Sequence, residues 1–188
     1  MLSVIIPVYN NEKTIEAVVT KVNSLPIEKE IIVVNDCSND KTALILSSIS
    51  LRSLKVIHHA SNRGKVAVMR TGIENATGEF IVIQKADLKY DPVDYLKLLE
   101  ALNNQSADIV LGLRFAKMRK SAFIPSLVAT VLLNVLFNVR LSGWFTCCWL
   151  IRKNSLLDLP LNLNNADTAF EVLKKAVKKK MRIIEVPV

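Results

Sequence analysis

An α/β fold, built as a three-layer α/β/α sandwich around a mostly parallel sheet, is predicted by three features of this sequence. Short apolar runs alternate with helix-spaced segments through the first 113 residues. Polar clusters recur directly after several of those runs. Half of the 188 residues are hydrophobic, enough to cover both faces of a central sheet in one domain. The whole chain, 1–188, is read as that single domain, since it has no linker, repeat or low-complexity stretch.

The elements follow in order. Leu2 to Val8 is a buried strand, and Ile15, Val18, Val19, Val22 and Leu25 then recur at helical spacing. Glu30 to Asn35 is a second strand. Asp40 is placed to cap a helix carrying Leu44, Leu46 and Ile49. Leu54 to His58 is a third strand, followed by a helix from Lys65 to Ala76 that Gly78 can stop. Glu79 to Gln84 is a fourth strand. Asp91-Pro92 opens a helix carrying Leu96, Leu99 and Leu102, and Ala107 to Leu113 is a fifth strand. Pro125 to Leu141 reads as a long one-sided apolar helix, Cys148 to Arg152 as a strand, Asp167 to Lys180 as a helix with a basic end, and Arg182 to Val188 as a last strand.

Composition narrows the function. Lys and Arg outnumber Asp and Glu by 25 to 17, a net charge of +8, which favours anionic partners such as nucleotide diphosphates or acidic lipid headgroups. Basic residues are not interleaved with aromatics, so nucleic acid is an unlikely partner on this reading. Cys37, Cys147 and Cys148 show no disulfide spacing and are expected simply to pack, in a reducing compartment. No signal peptide is seen, and the apolar stretch around Pro125 to Leu141 is too short and too polar to span a bilayer. A cytoplasmic protein, peripheral at the cytoplasmic membrane face, is expected. The lysine run at 174–180 reads as a solvated helix end, and Trp144 and Trp149 as packing residues.

In parallel sheets, ligands bind beyond the carboxyl ends of the strands. Tyr9-Asn10-Asn11-Glu12, Asn35-Asp36 and Lys85-Ala86-Asp87 all fall there, on one edge. His58 and His59 are adjacent in a strand, so one is expected inward and one outward, neither catalytic.

Those clusters carry a resemblance. Pro7-Val8-Tyr9-Asn10-Asn11-Glu12 resembles the PVYNE opening of family 2 glycosyltransferases, and Val34 to Asp40 resembles their VDDGSTD segment. Asn62-Arg63-Gly64-Lys65 with Arg70-Thr71-Gly72 is similar to the NRGKGAALRTG segment of the dolichol- and polyprenyl-phosphate sugar transferases. Gln84 to Pro92 resembles their QDADLEYDP, Gly112 to Phe115 their GSRF, and Ile184 to Pro187 their closing EVP strand. The resemblance implies a GT-A, Rossmann-like fold and an inverting transfer of a hexose from a UDP- or GDP-sugar to a lipid phosphate or glycan, with Mg or Mn usual. It implies nucleotide-binding roles for Pro7, Tyr9, Glu12, Asp36, Lys65 and Asp87, a phosphate or acceptor role for Arg114, and Asp87 as metal ligand; Lys85 joins the nucleotide-binding set by its charge alone. Catalytic residues are not assigned.

The pattern departs from the family where the chemistry sits. Lys85 stands at the first carboxylate of the DxD motif and Lys89 two positions beyond it, while Gly143, Phe145 and Trp149 occupy positions that are charged in relatives. Asn35 and Cys37 replace the usual Asp and Gly. The alternative implied is a catalytically impaired relative that binds a nucleotide, a partner protein or another copy of itself. Lysine at the motif also raises the expectation that a nucleotide binds there without a metal.

Overall fold

The computed structural model describes residues 1–113, 134, 146–159 and 168–188. Seven strands form one sheet in the order β3-β2-β1-β4-β6-β5-β7. They are β1 (Leu2–Val8), β2 (Lys29–Asn35), β3 (Leu54–His58), β4 (Phe80–Ile83), β5 (Ile109–Leu113), β6 (Thr146–Arg152) and β7 (Ile183–Pro187). All neighbouring pairs are parallel except those of β6, which runs antiparallel to both β4 and β5. The helices among the described residues are α1 (Ile15–Asn23), α2 (Thr42–Ser48), α3 (Gly64–Asn75), α4 (Asp94–Gln105), α5 (Lys153–Leu157) and α6 (Thr168–Lys178).

Strand alternation divides the core into two halves. Leu2, Val4, Ile6, Val8, Ile31 and Val33 join the apolar faces of α1, α2 and α4 on one side of the sheet. Ile5, Ile32, Val34, Ile81 and Ile109 join Val68 and Ile73 of α3 and Val172 and Leu173 of α6 on the other. A strand buried on both faces reads as a continuous apolar run, and this is why β1, β2 and β5 were apparent in the sequence. The helix α3 lies close against β1: a Cβ on Gly72 would stand 2.3 Å from Ile5 Cγ2.

Several expectations need correction. On α2, Leu46 is buried and Ile49 at its end packs partly against the core as expected, but Leu44 is 68% exposed and Thr42 takes the second buried place. On α4 Leu102 is buried as expected, but its companions are Tyr95 and Leu98; Leu99 is half-buried at the side of that stripe and Leu96 lies further round on the same side. Asp91 caps three residues ahead of the regular helix, its Oδ1 accepting the Val93 N–H at 3.2 Å. Cys37 is exposed rather than packed, whereas Cys148 is buried. The short helix α5 was not expected. The apolar helix Pro125–Leu141 and residue Trp144 fall outside the described residues, Asn134 excepted.

Candidate functional site at the carboxyl edge of the sheet

The parallel register brings the polar clusters together. Asp36 N–H donates to Val8 O, and Gln84 N–H to Ile5 O, each at 2.9 Å, so the ends of β2 and β4 flank the end of β1. The loop after β1 is then bonded to both neighbours. Asn10 N–H donates to Ser38 Oγ, and Asn10 Oδ1 accepts from Asn39 N–H, both at 2.9 Å. Asn11 N–H reaches Thr42 Oγ1 at 2.9 Å. Glu12 N–H donates to Asp40 Oδ2 at 3.1 Å, while Glu12 Oε2 accepts the Lys41 N–H at 3.0 Å. On the other side, Thr14 Oγ1 donates to Ala86 O at 2.6 Å.

This reciprocal bonding fixes one wall of a crevice. Burial pushes the Asp40 carboxyl upward, but its bonds from Thr42 and from the Glu12 N–H outweigh that and hold it below the ordinary carboxylate range. Tyr9 stands at the rim, 47% exposed, with its ring open to a flat ligand. Pro7 is half-buried near the end of β1, and Lys65 is exposed in the first turn of α3.

Asp36 sits deeper. Its Oδ1 accepts from His59 Nδ1 at 2.8 Å and from the Arg63 N–H at 2.9 Å, and its Oδ2 accepts from the Gly64 N–H at 2.8 Å. The register explains the first contact: Asn35 pairs with His58 in the parallel ladder, so the following residues, Asp36 and His59, lie side by side. Both side chains are nearly closed off, 4% and 5% exposed. His59 Nε2 lies 2.9 Å from Thr71 Oγ1 on α3, which makes a continuous chain Thr71–His59–Asp36–Arg63/Gly64. Burial drives the Asp36 carboxyl upward, but the Arg63, His59 and Gly64 bonds outweigh it, and it titrates below its ordinary range. Of the four acceptor positions on a carboxylate, one on Oδ2 remains for a ligand. His58, by contrast, is exposed and takes the Asn35 Nδ2 bond at 3.0 Å, so the inward–outward split holds.

The segment after β4 completes the edge. Buried Tyr95 donates its hydroxyl to Gln84 Oε1, and Gln84 Nε2 donates to Lys85 O at 3.0 Å. Burial raises the Tyr95 phenol well above its usual range, so it stays a donor. Lys85 and Lys89 are exposed, and half-buried Asp87 accepts the Lys89 N–H at 3.2 Å. Arg114 lies outside the described residues. Sequence reasoning did not find His59, Thr71, Thr14, Gln84 or Tyr95 as parts of the site; only the adjacent histidines ahead of Asn-Arg-Gly offered a signal.

Known proteins resemble this chain in sequence and in fold. The profile of the family described as Glycosyl transferase family 2 matches residues 3–159. The dolichol-phosphate mannosyltransferase of Pyrococcus furiosus is 30% identical, over 99% of this chain and 55% of that protein. The dodecaprenyl-phosphate galacturonate synthase of Rhizobium johnstonii is 29% identical, over 83% of this chain and 48% of that protein. This chain thus spans about half the length of the curated relatives it matches. Among solved structures, glucosyl-3-phosphoglycerate synthase from Mycobacterium tuberculosis, in complex with Mn2+, uridine diphosphate and phosphoglyceric acid, superposes with a TM-score of 0.77. It is 18% identical, over 100% of this chain and 68% of that one. Staphylococcus aureus TarS with UDP-GlcNAc gives 0.67 at 21% identity, over 100% of this chain and 58% of that one. These likenesses establish the GT-A glycosyltransferase fold.

Proposed function

Because the chain belongs to glycosyl transferase family 2, we propose that it binds a UDP- or GDP-linked sugar at this edge and transfers the hexosyl group to a lipid phosphate. The observation that carries the reading is the cross-bonded edge itself. Polar segments from separate strands are tied to one another through the loop after β1, with Tyr9 exposed at its rim and one acceptor position of the buried Asp36 left behind it. Tyr9 stacks on the base, Pro7 shapes the floor beneath it, and Asp36 Oδ2 accepts from a base or ribose donor. Glu12 braces the loop, Lys65 and Lys85 face phosphate, and Asp87 borders the sugar side. Arg114 contributes charge toward the acceptor.

A phosphate acceptor is favoured over a sugar hydroxyl by charge. From Ile109 through Leu157 the sequence holds no Asp, Glu or His, and its charged side chains are all Lys or Arg. A hydroxyl acceptor needs a general base, whereas a phosphate is already ionised near neutral pH. The relatives named for dolichol and dodecaprenyl phosphate point the same way. No helix among the described residues is long and apolar enough to cross a membrane. We therefore place the domain peripherally at a cytoplasmic membrane face, where its positive charge meets anionic headgroups; a partner protein or a second copy is a further means of holding it there.

Calorimetry with UDP, GDP and their sugars tests the first step, and transfer of labelled hexose into a polyprenyl phosphate tests the second. Heat of binding and lipid-extractable label are expected. Silence with every nucleotide at millimolar concentration would sink the proposal.

A further inference from the structure

The residues at the end of β4 do not suit the divalent cation that accompanies uridine diphosphate in the mycobacterial neighbour. Mg and Mn ask for about six oxygen ligands, with carboxylates foremost. Among the described residues, no group of three or more His, Cys, Asp or Glu side chains is placed to hold a metal. The long segment from Ile109 through Leu157 cannot complete one with a hard carboxylate, since it has none. Asp87 is left between Lys85 and Lys89, with one oxygen already accepting the Lys89 N–H. Two ammonium side chains beside a single carboxylate repel an arriving dication rather than attract it.

The same residues suit an anion. We propose that this site holds the diphosphate of its nucleotide without a divalent cation, the Lys85 ammonium supplying the positive charge. The inference rests on the nucleotide reading above and names how that site meets phosphate.

Three features make Lys85 more than a solvated surface lysine. Its backbone is fixed: Lys85 O accepts Gln84 Nε2, whose other end is held by the buried Tyr95 hydroxyl, and the next carbonyl, Ala86 O, accepts Thr14 Oγ1. Its ammonium is kept near the edge, 3.3 Å from Tyr90 Oη and 4.9 Å from the Tyr90 ring centroid, so it lies over the ring rather than extending into bulk water. Its strand neighbours β1, which places it next to the loop carrying Tyr9. An ammonium is a compact point charge with three donors, and it serves phosphate well in that capacity. It lacks the several coordination positions and the Lewis acidity of a metal, so binding is met more fully than stabilisation of a departing diphosphate.

The experiment is calorimetry of UDP and GDP with the native chain, Lys85→Ala and Lys85→Asp, each in EDTA and in Mn2+. The native Kd is expected to agree within about threefold between the two conditions. Lys85→Ala should lose about ten- to a hundredfold in affinity in EDTA, the worth of a charge-assisted bond. Lys85→Asp should bind poorly in EDTA and recover with Mn2+. A native affinity that rises about tenfold or more with Mn2+ overturns the inference and leaves the nucleotide reading standing. Native-like binding by Lys85→Ala overturns the assignment to Lys85. Absence of binding by the native chain in both conditions removes the nucleotide reading, and the inference with it.

Discussion

The ends of β2 and β4 lie on either side of β1, yet they treat charge in opposite ways. At β2, Asp36 is buried and three of its acceptor positions are taken by His59, Arg63 and Gly64. At β4, Lys85 and Lys89 are exposed, and the carbonyls of Lys85 and Ala86 are pinned while the Lys85 ammonium rests on Tyr90. The first region uses its carboxylate to close a loop; the second leaves its ammonium groups at the surface. The contrast teaches that one sheet edge can divide its labour, with shape set on one side and electrostatic attraction on the other.

The sharpest way to break the comparison is Asp36→Ala. It removes the acceptor of the part-buried Arg63 and Gly64 N–H groups, leaving the latter only Asn62 Oδ1 at 3.2 Å, takes the carboxylate partner from closed-off His59, and should cost about 3 kcal/mol of stability by urea unfolding. Loss of under about 1 kcal/mol would show that the loop closes by other means. The same carboxylate has a pH signature. Its folded pKa lies below the ordinary 3.8, so its stabilisation is complete above that value and is lost as pH falls through the lower, folded value. Asp36→Asn should flatten that part of the acid limb relative to the native chain.

His59 separates positioning from packing. His59→Leu removes both ring bonds from a closed-off site and should cost about 2 kcal/mol, measured by the same unfolding curves. Asn in its place, whose amide can stand where Nδ1 stands, should restore part of that. Equal losses for the two substitutions would mean that ring volume matters and the chain from Thr71 to Asp36 does not.

Cys37 offers a gain. It holds φ at 58° on the exposed turn after β2, a left-handed conformation that a Cβ disfavours. Cys37→Gly should stabilise the chain by about 1 kcal/mol, seen as a rise in Tm. No gain would imply that the contact of its Sγ with Ala60 O at 3.7 Å offsets the strain.

How much of this could be read from the sequence follows from the same division. The strands buried on both faces announce themselves as apolar runs, and the polar clusters at their ends were visible as a set. The inward faces of short helices were not. On α2 and α4 a rotation of one or two residues decides between Leu44 and Thr42, or between Leu96 and Tyr95, and the apolar pattern alone does not choose the face. Asp36 was singled out from its place at the end of β2 and from the resemblance, whereas its partner His59, 23 positions away, appears only once the Asn35–His58 register is known. Tyr95 and Gln84 were missed for a similar reason: neither reaches a ligand, and their role is to hold the carbonyl behind Lys85.

The smallest expected effect on folding is also the most telling. Lys85→Ala removes an exposed side chain whose described contacts are the Tyr90 ring and hydroxyl. An exposed cation–π contact contributes about 0.5–1 kcal/mol at most, and the truncated side chain loses little else. Unfolding stability should therefore change by less than about 1 kcal/mol. The backbone pins at Ala86 O and Lys85 O are untouched by the substitution, so the edge keeps its shape. A loss of about 2 kcal/mol or more would make Lys85 a structural residue like Asp36 and erase the division between the two strand ends. Unchanged stability beside weakened nucleotide binding would establish that division, because a group that folding does not need is then held in place for a ligand.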